Sequence, residues 1–191
     1  RTTIKALRLF GSLPEEEWPY RPELLETEPD AFTYAYAHSF RALQYARLDG
    51  YGAHGDTTLA AVKRALDQGH PVAFGFPVFA SIGGIGPDYV IPLPGAGDKR
   101  LGGHAIVAVG YYDDLPVPGA TGDERGGLII RNSWGEAWGD RGYAYLPYWY
   151  VRQQYAVDFW TLYGLDWLNQ FEFEEPAGNI AGSSPQPAAR G

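Results

Sequence analysis

The sequence predicts an α+β fold, and three observations carry that prediction. Helical spacing of apolar residues is confined to the stretch before Gly69. Alternating or continuous apolar runs bounded by turn residues dominate the rest of the chain. Gly/Pro-rich loops separate those runs, as expected of an antiparallel sheet or barrel with a helical layer supplied by the first half.

At the start of the chain, "TTIKALRLFG" sets Ile4, Ala6, Leu7 and Phe10 on one helical face, and Gly11 ends it. Prolines 14, 19 and 22 make the next stretch a loop, with Glu15–Glu17 as a solvated acidic run. A second helix is expected from Glu28 to Phe40, with Pro29 and Asp30 in its first turn. "RALQYARL" reads as a short strand. Asp56 is expected to cap "TTLAAVKRALDQG", where Leu59, Val62, Ala65 and Leu66 share a face and Gly69 closes the helix.

"PVAFGFPVF" is a buried strand that begins at Pro71, where a missing N–H is tolerated. Residues 81 to 102 form a long Gly/Pro-rich loop, of a length that is usually either functional or disordered. Strands are expected at 104–112, 127–131 and 142–147, and "YAVDFWTLYG" forms one more. The ending "EEPAGNIAGSSPQPAARG" has few large apolar residues and reads as a tail. The chain therefore divides into 1–40, helical; 41–164, sheet or barrel; and 165–191, tail.

Composition excludes several functions. Hydrophobic residues make up 45 % of the 191 and aromatics 15 %, enough for a packed core. A formal net charge of −8 with no Lys/Arg cluster argues against a nucleic-acid partner. No apolar run approaches the roughly 18 residues of a membrane span. Cysteine is absent, which removes disulfides, thiolate metal sites and a thiol nucleophile from these residues and leaves compartment open. Methionine is absent too, and Arg1 stands within a helical pattern. We expect the natural start to lie upstream, where a signal peptide would go unseen.

Four histidines remain as candidates. His38, His54 and His70 read as ordinary surface or half-buried residues, and no pair has metal-ligand spacing, so neither metal nor cofactor is expected. His104 differs. Gly102 and Gly103 precede it, allowing close approach of a backbone or substrate, and "AIVAV" behind it makes a stiff strand. Asn132 ends the later strand "LIIR", with Trp134 and Trp138 close by. Its amide would fix the tautomer and plane of an imidazole while an indole excluded water. A histidine so oriented is two parts of a catalytic triad. Serine does not supply the third: there is no G-x-S-x-G, Ser133 points to the other strand face, and Ser12, Ser39 and Ser81 lack context.

"GGHAIVAVGYYDD" with "IIRNSWGEAWGDRGYAYLPY" resembles the His and Asn blocks of the papain family of cysteine peptidases. "IKALRLFGSLPEEEWPY" and "AVKRALDQGHPVAFGF" resemble upstream parts of that family more loosely, so the similarity spans roughly residues 1 to 163. The long Gly/Pro loop and "LPYWYV" are most similar to its bacterial branches. The resemblance implies a papain-like fold, with an incomplete helical first domain, a sheet or barrel second domain, and a cleft between them. It makes His104 the imidazole that pairs with a cysteine thiolate, a pairing that lowers a thiol pKa to about 3–4. It makes Asn132 the residue that orients His104 and Trp134 the indole over that contact, with Trp138 in support and the Gly103 backbone lining the cleft. Walls of the specificity pocket are expected from the 71–80 strand end and the 81–102 loop.

The family's Gln-x-x-x-x-x-Cys-Trp segment is missing from the 191 residues and is expected before Arg1. The expected function is hydrolysis of peptide bonds in a peptide or protein substrate, with the cysteine from an upstream segment or second chain and the isolated chain inactive. The alternatives are an inactive binding or scaffolding domain, or a ligase or cyclising enzyme of the same fold.

Overall fold

A computed structural model describes residues 2–122 and 124–167. Its helices are α1 (Thr2–Leu9), α2 (Ala31–Ala37), α3 (Gly55–Asp67) and α4 (Tyr148–Arg152). Its strands are β1 (Phe40–Arg47), β2 (Val72–Phe79), β3 (Arg100–Pro116), β4 (Arg125–Arg131), β5 (Tyr143–Pro147) and β6 (Val157–Trp167). The strands form one antiparallel sheet in the order β1-β6-β2-β3-β4-β5, so the last strand inserts between the first two.

Strand alternation builds the core. Val72, Phe74 and Phe76 of β2 are buried, opposite Ala108, Ile106 and His104 of β3. Leu128 and Ile130 of β4 and Leu146 of β5 continue that face without solvent exposure. Helix α3 lays Leu59, Val62 and Ala65 onto it, each large side chain contributing about 1.5–3 kcal/mol. None of the described helices is long and apolar enough to cross a membrane.

Several boundaries differ from those the sequence predicts. Helix α2 is shorter than 28–40: Asp30 is its N-cap, Oδ1 accepting from the Thr33 N–H at 2.7 Å, and Phe40 is already paired with Trp167. Sheet pairing wins over helical continuation there. Asp56 does not cap α3. His54 takes that position without a side-chain bond, while Asp56 accepts from Arg152 Nε at 3.0 Å. Gly11 does end α1, at φ +85°, and a Cβ there would run into the Ala37 carbonyl.

The loop expected over 81–102 is partly ordered. Ala80–Gly84 is a 3-10 turn, Val90 bridges Tyr145 in parallel, and β3 begins at Arg100 because Phe79 and Val78 still pair with Arg100 and Gly102. The other end of β3 runs to Pro116, paired with Arg125. Helix α4, in "LPYWYVRQQ", has too short an apolar run to announce itself; the strand after it extends to Trp167. From residue 168 onward the expected tail lies outside the described residues.

Candidate active site

Two strand ends meet at the site. On β3, Ile106 and Ala108 face the core, and His104 shares their parity at the start of the run. Ala108 pairs with Ile130, which also faces the core, so Asn132, two residues on, projects from the same face. Because the strands are antiparallel, the beginning of one lies beside the end of the other. His104 Nε2 is 2.9 Å from Asn132 Oδ1.

The amide orientation is fixed locally. Oδ1 also accepts from the Ser133 N–H at 2.8 Å, which identifies it as the oxygen. A carbonyl oxygen only accepts, so Nε2 of His104 carries a proton, and in the neutral ring it is Nδ1 that holds the lone pair. Asn132 is 9 % exposed, and its Nδ2 is buried without a hydrogen-bond partner among the described residues. Its backbone N–H donates to the Gly142 carbonyl at 2.9 Å, closing the loop 133–141 onto the strand end.

Aromatic rings surround the pair. Trp134 stacks on the imidazole at 4.9 Å between centroids and 24° between planes. Trp138 meets Trp134 edge-on at 5.5 Å and packs against the core. Phe76, the register partner of His104 on β2, lies 6.1 Å from it. The sequence does not single out Phe76. Its alternation with Val72 and Phe74 marks it as inward-facing, but only the register places it at the histidine.

Gly103 pairs with Pro77, and a Cβ built on it or on Gly102 meets nothing within 4 Å. Neither glycine is demanded by packing among the described residues; both border open space beside His104. The other histidines lie elsewhere: His38 Nε2 is 2.7 Å from Arg41 Nη1, His54 heads α3, and His70 sits edge-on to Tyr163 at 5.1 Å. Among the described residues no group of three or more His, Asp or Glu could hold a metal ion.

The arrangement can hold a neutral imidazole in one tautomer and accept a proton at Nδ1. The 191 residues contain no cysteine to give it one.

Known proteins share this architecture. A "peptidase C1-like" protein of Acanthamoeba polyphaga mimivirus is 34 % identical over 169 residues, 85 % of this chain and 50 % of the relative. Xylellain, a cysteine protease from Xylella fastidiosa, superposes with a TM-score of 0.62 at 34 % identity, covering 83 % of this chain and 59 % of its own. The bromelain protease of Ananas comosus has the same fold at 18 % identity and a TM-score of 0.51, over 84 % of this chain and 66 % of its own. The chain thus spans half the length of its mimiviral relative. A family model described as papain family cysteine protease matches residues 11–153, and by that match the chain belongs to the papain family of cysteine proteases.

Proposed function

We propose that this chain supplies the His104–Asn132 half of a cysteine-peptidase centre, and that the thiol comes from outside the 191 residues. The carrying observation is the 2.9 Å contact between His104 Nε2 and Asn132 Oδ1, in a chain with no cysteine of its own. Residues 1–40 then serve as the remainder of a helical subdomain facing 41–164 across the cleft, with Gly103, Trp134 and Trp138 lining or supporting the histidine side.

The tautomer dictates the chemistry. Nδ1 takes the thiol proton, leaving a thiolate beside an imidazolium. Sulfur attacks the scissile carbonyl carbon, and the imidazolium returns its proton to the leaving amine. Nδ1 then takes a proton from the water that releases the acyl group. Throughout, Asn132 accepts from Nε2–H and keeps the ring plane fixed, and Trp134 shields that bond from water.

The test compares the 191-residue chain with the longer protein carrying its upstream segment, using a fluorogenic peptide at about pH 5 to 8. Loss of a triad nucleophile costs on the order of 10⁶ in rate, so the chain alone is expected to be silent and the longer protein active. A His104→Ala variant of the longer protein is expected to lose activity. Cleavage by the chain alone, or silence from the longer protein, overturns the reading.

A further inference from the structure

A second concavity lies on the reverse of the sheet. Ile130 and Ala144 pair across β4 and β5 and face the core; Ile129 and Tyr145, paired one step along, point the other way. Over Ile129 lies a cavity of about 480 Å³. Its position separates it from His104 and Asn132, which project from the core side. The ring-bearing walls are Tyr89, Tyr143 and Tyr145, and the charged groups are Glu136, Asp140 and Arg141.

The charges favour a cation. Glu136 has no hydrogen bond or ion pair with any described residue. Asp140 faces Arg141 Nε at 3.6 Å, with both side chains mostly exposed, a contact too long and too wet to neutralise it. Two carboxylates thus share the lining with one loosely held guanidinium and with three tyrosines, a ring type whose π-system attracts cations. The volume falls in the range of sites for small ligands, enough for one long side chain with its flanking amides. Arg141 itself sits at φ +50°, so its own guanidinium is carried on a backbone conformation that glycine would hold more readily.

We propose that this cavity binds the cationic side chain of arginine or lysine, presented by a polypeptide or as the amino acid, at a site distinct from the catalytic cleft. Its carboxylates ride on the loop 133–141 that also carries Trp134. The Gly142 N–H donates to the Trp138 carbonyl at 2.7 Å, which ties the cavity wall to the indole pair.

The test is an NMR titration of the protein with Nα-acetyl-arginine N-methylamide, with the norleucine analogue as the uncharged aliphatic control. Saturable shifts confined to the amides of residues 129, 136–145 and 89 are expected with arginine and not with norleucine. The double variant E136Q/D140N, both exposed and isosteric, is expected to weaken binding by about tenfold or more. Arg141→Gly removes the competing cation and relieves its backbone, and is expected to tighten binding several-fold. An arginine-centred peptide binding more tightly than the capped amino acid assigns a polypeptide occupant; equal binding assigns the free amino acid. Equal binding of norleucine, an unchanged affinity in E136Q/D140N, or no saturation at all overturns the proposal. None of these readings depends on peptidase activity.

Discussion

His104 Nε2 and Asn132 Oδ1 stand 2.9 Å apart although 28 positions separate the two residues in sequence. The Ser133 N–H holds the same oxygen from the other side, so the imidazole proton has one place to sit. The ring is thereby held in one orientation by the fold itself. Removing the amide is expected to free the ring without unfolding the chain. The parent is expected to show a slowly exchanging Nε2 proton in its NMR spectrum, and Asn132→Ala is expected to lose it. Global stability should change by less than about 1 kcal/mol, because truncation also removes the buried, unpartnered Nδ2. In the thiol-bearing protein kcat should fall roughly tenfold with KM unchanged, the worth of one hydrogen bond. An Nε2 proton that persists in the variant contradicts the assignment.

Trp134 stacks one face on the His104 ring and shows 46 % of its surface to solvent. Its stacking on His104 contributes about 0.5–1.5 kcal/mol beyond area burial. Trp134→Ala should therefore accelerate exchange of the Nε2 proton, while Trp134→Phe should retain most of the protection. Equal exchange rates in the alanine variant and the parent would show that the indole excludes no water.

The two residues of the pair could be singled out because His104 heads one apolar run and Asn132 ends another, each in a recognisable block. Their meeting was not legible from pattern alone. Alternation says which residues share a face of one strand, but it says nothing of register between strands. Register is what sets Ala108 opposite Ile130, brings Asn132 to His104, and puts Phe76 against the ring. The errors at α2 and α3 have one origin. A local signal, helical spacing up to Phe40 or an acidic residue near a helix start, was outcompeted by tertiary partners: Trp167 for Phe40 and Arg152 for Asp56.

Gly55 illustrates a contact that no sequence pattern reports. A Cβ there would overlap the backbone of Arg152, Cα, C and O alike, where α3 starts against α4. Backbone atoms cannot rotate away, so Gly55→Ala forces the helices apart. Overpacking of this kind costs about 1–3 kcal/mol, and Tm should fall by roughly 5–10 °C. Gly50→Ala, where a Cβ meets nothing within 4 Å, is the control and should leave Tm within about 1–2 °C. A similar small change in both variants would show that the helix contact yields freely.

Asp113 of β3 sets an acid-sensitive tie to the helices α3 and α4. Both its oxygens accept from Lys63 Nζ, at 2.7 and 2.8 Å, and Oδ1 also accepts from the Tyr148 hydroxyl at 2.8 Å. These bonds, Lys63 first, hold the carboxyl below its ordinary value. Burial and Asp113 push the Tyr148 phenol well up, so it remains a neutral donor. In the native chain Asp113 therefore keeps its charge at a pH where the unfolded chain has already bound a proton. Its stabilisation is complete above the ordinary carboxylate range, near pH 4, and is lost as pH falls through the lowered native value. The side chain is 56 % exposed, so solvent screening limits the contribution to under about 1 kcal/mol. Urea unfolding of Asp113→Asn should show that deficit at neutral pH, and the gap from the parent should narrow as pH drops below about 4. A gap that stays constant through that range would mean that the carboxylate's charge contributes nothing and that only its shape matters.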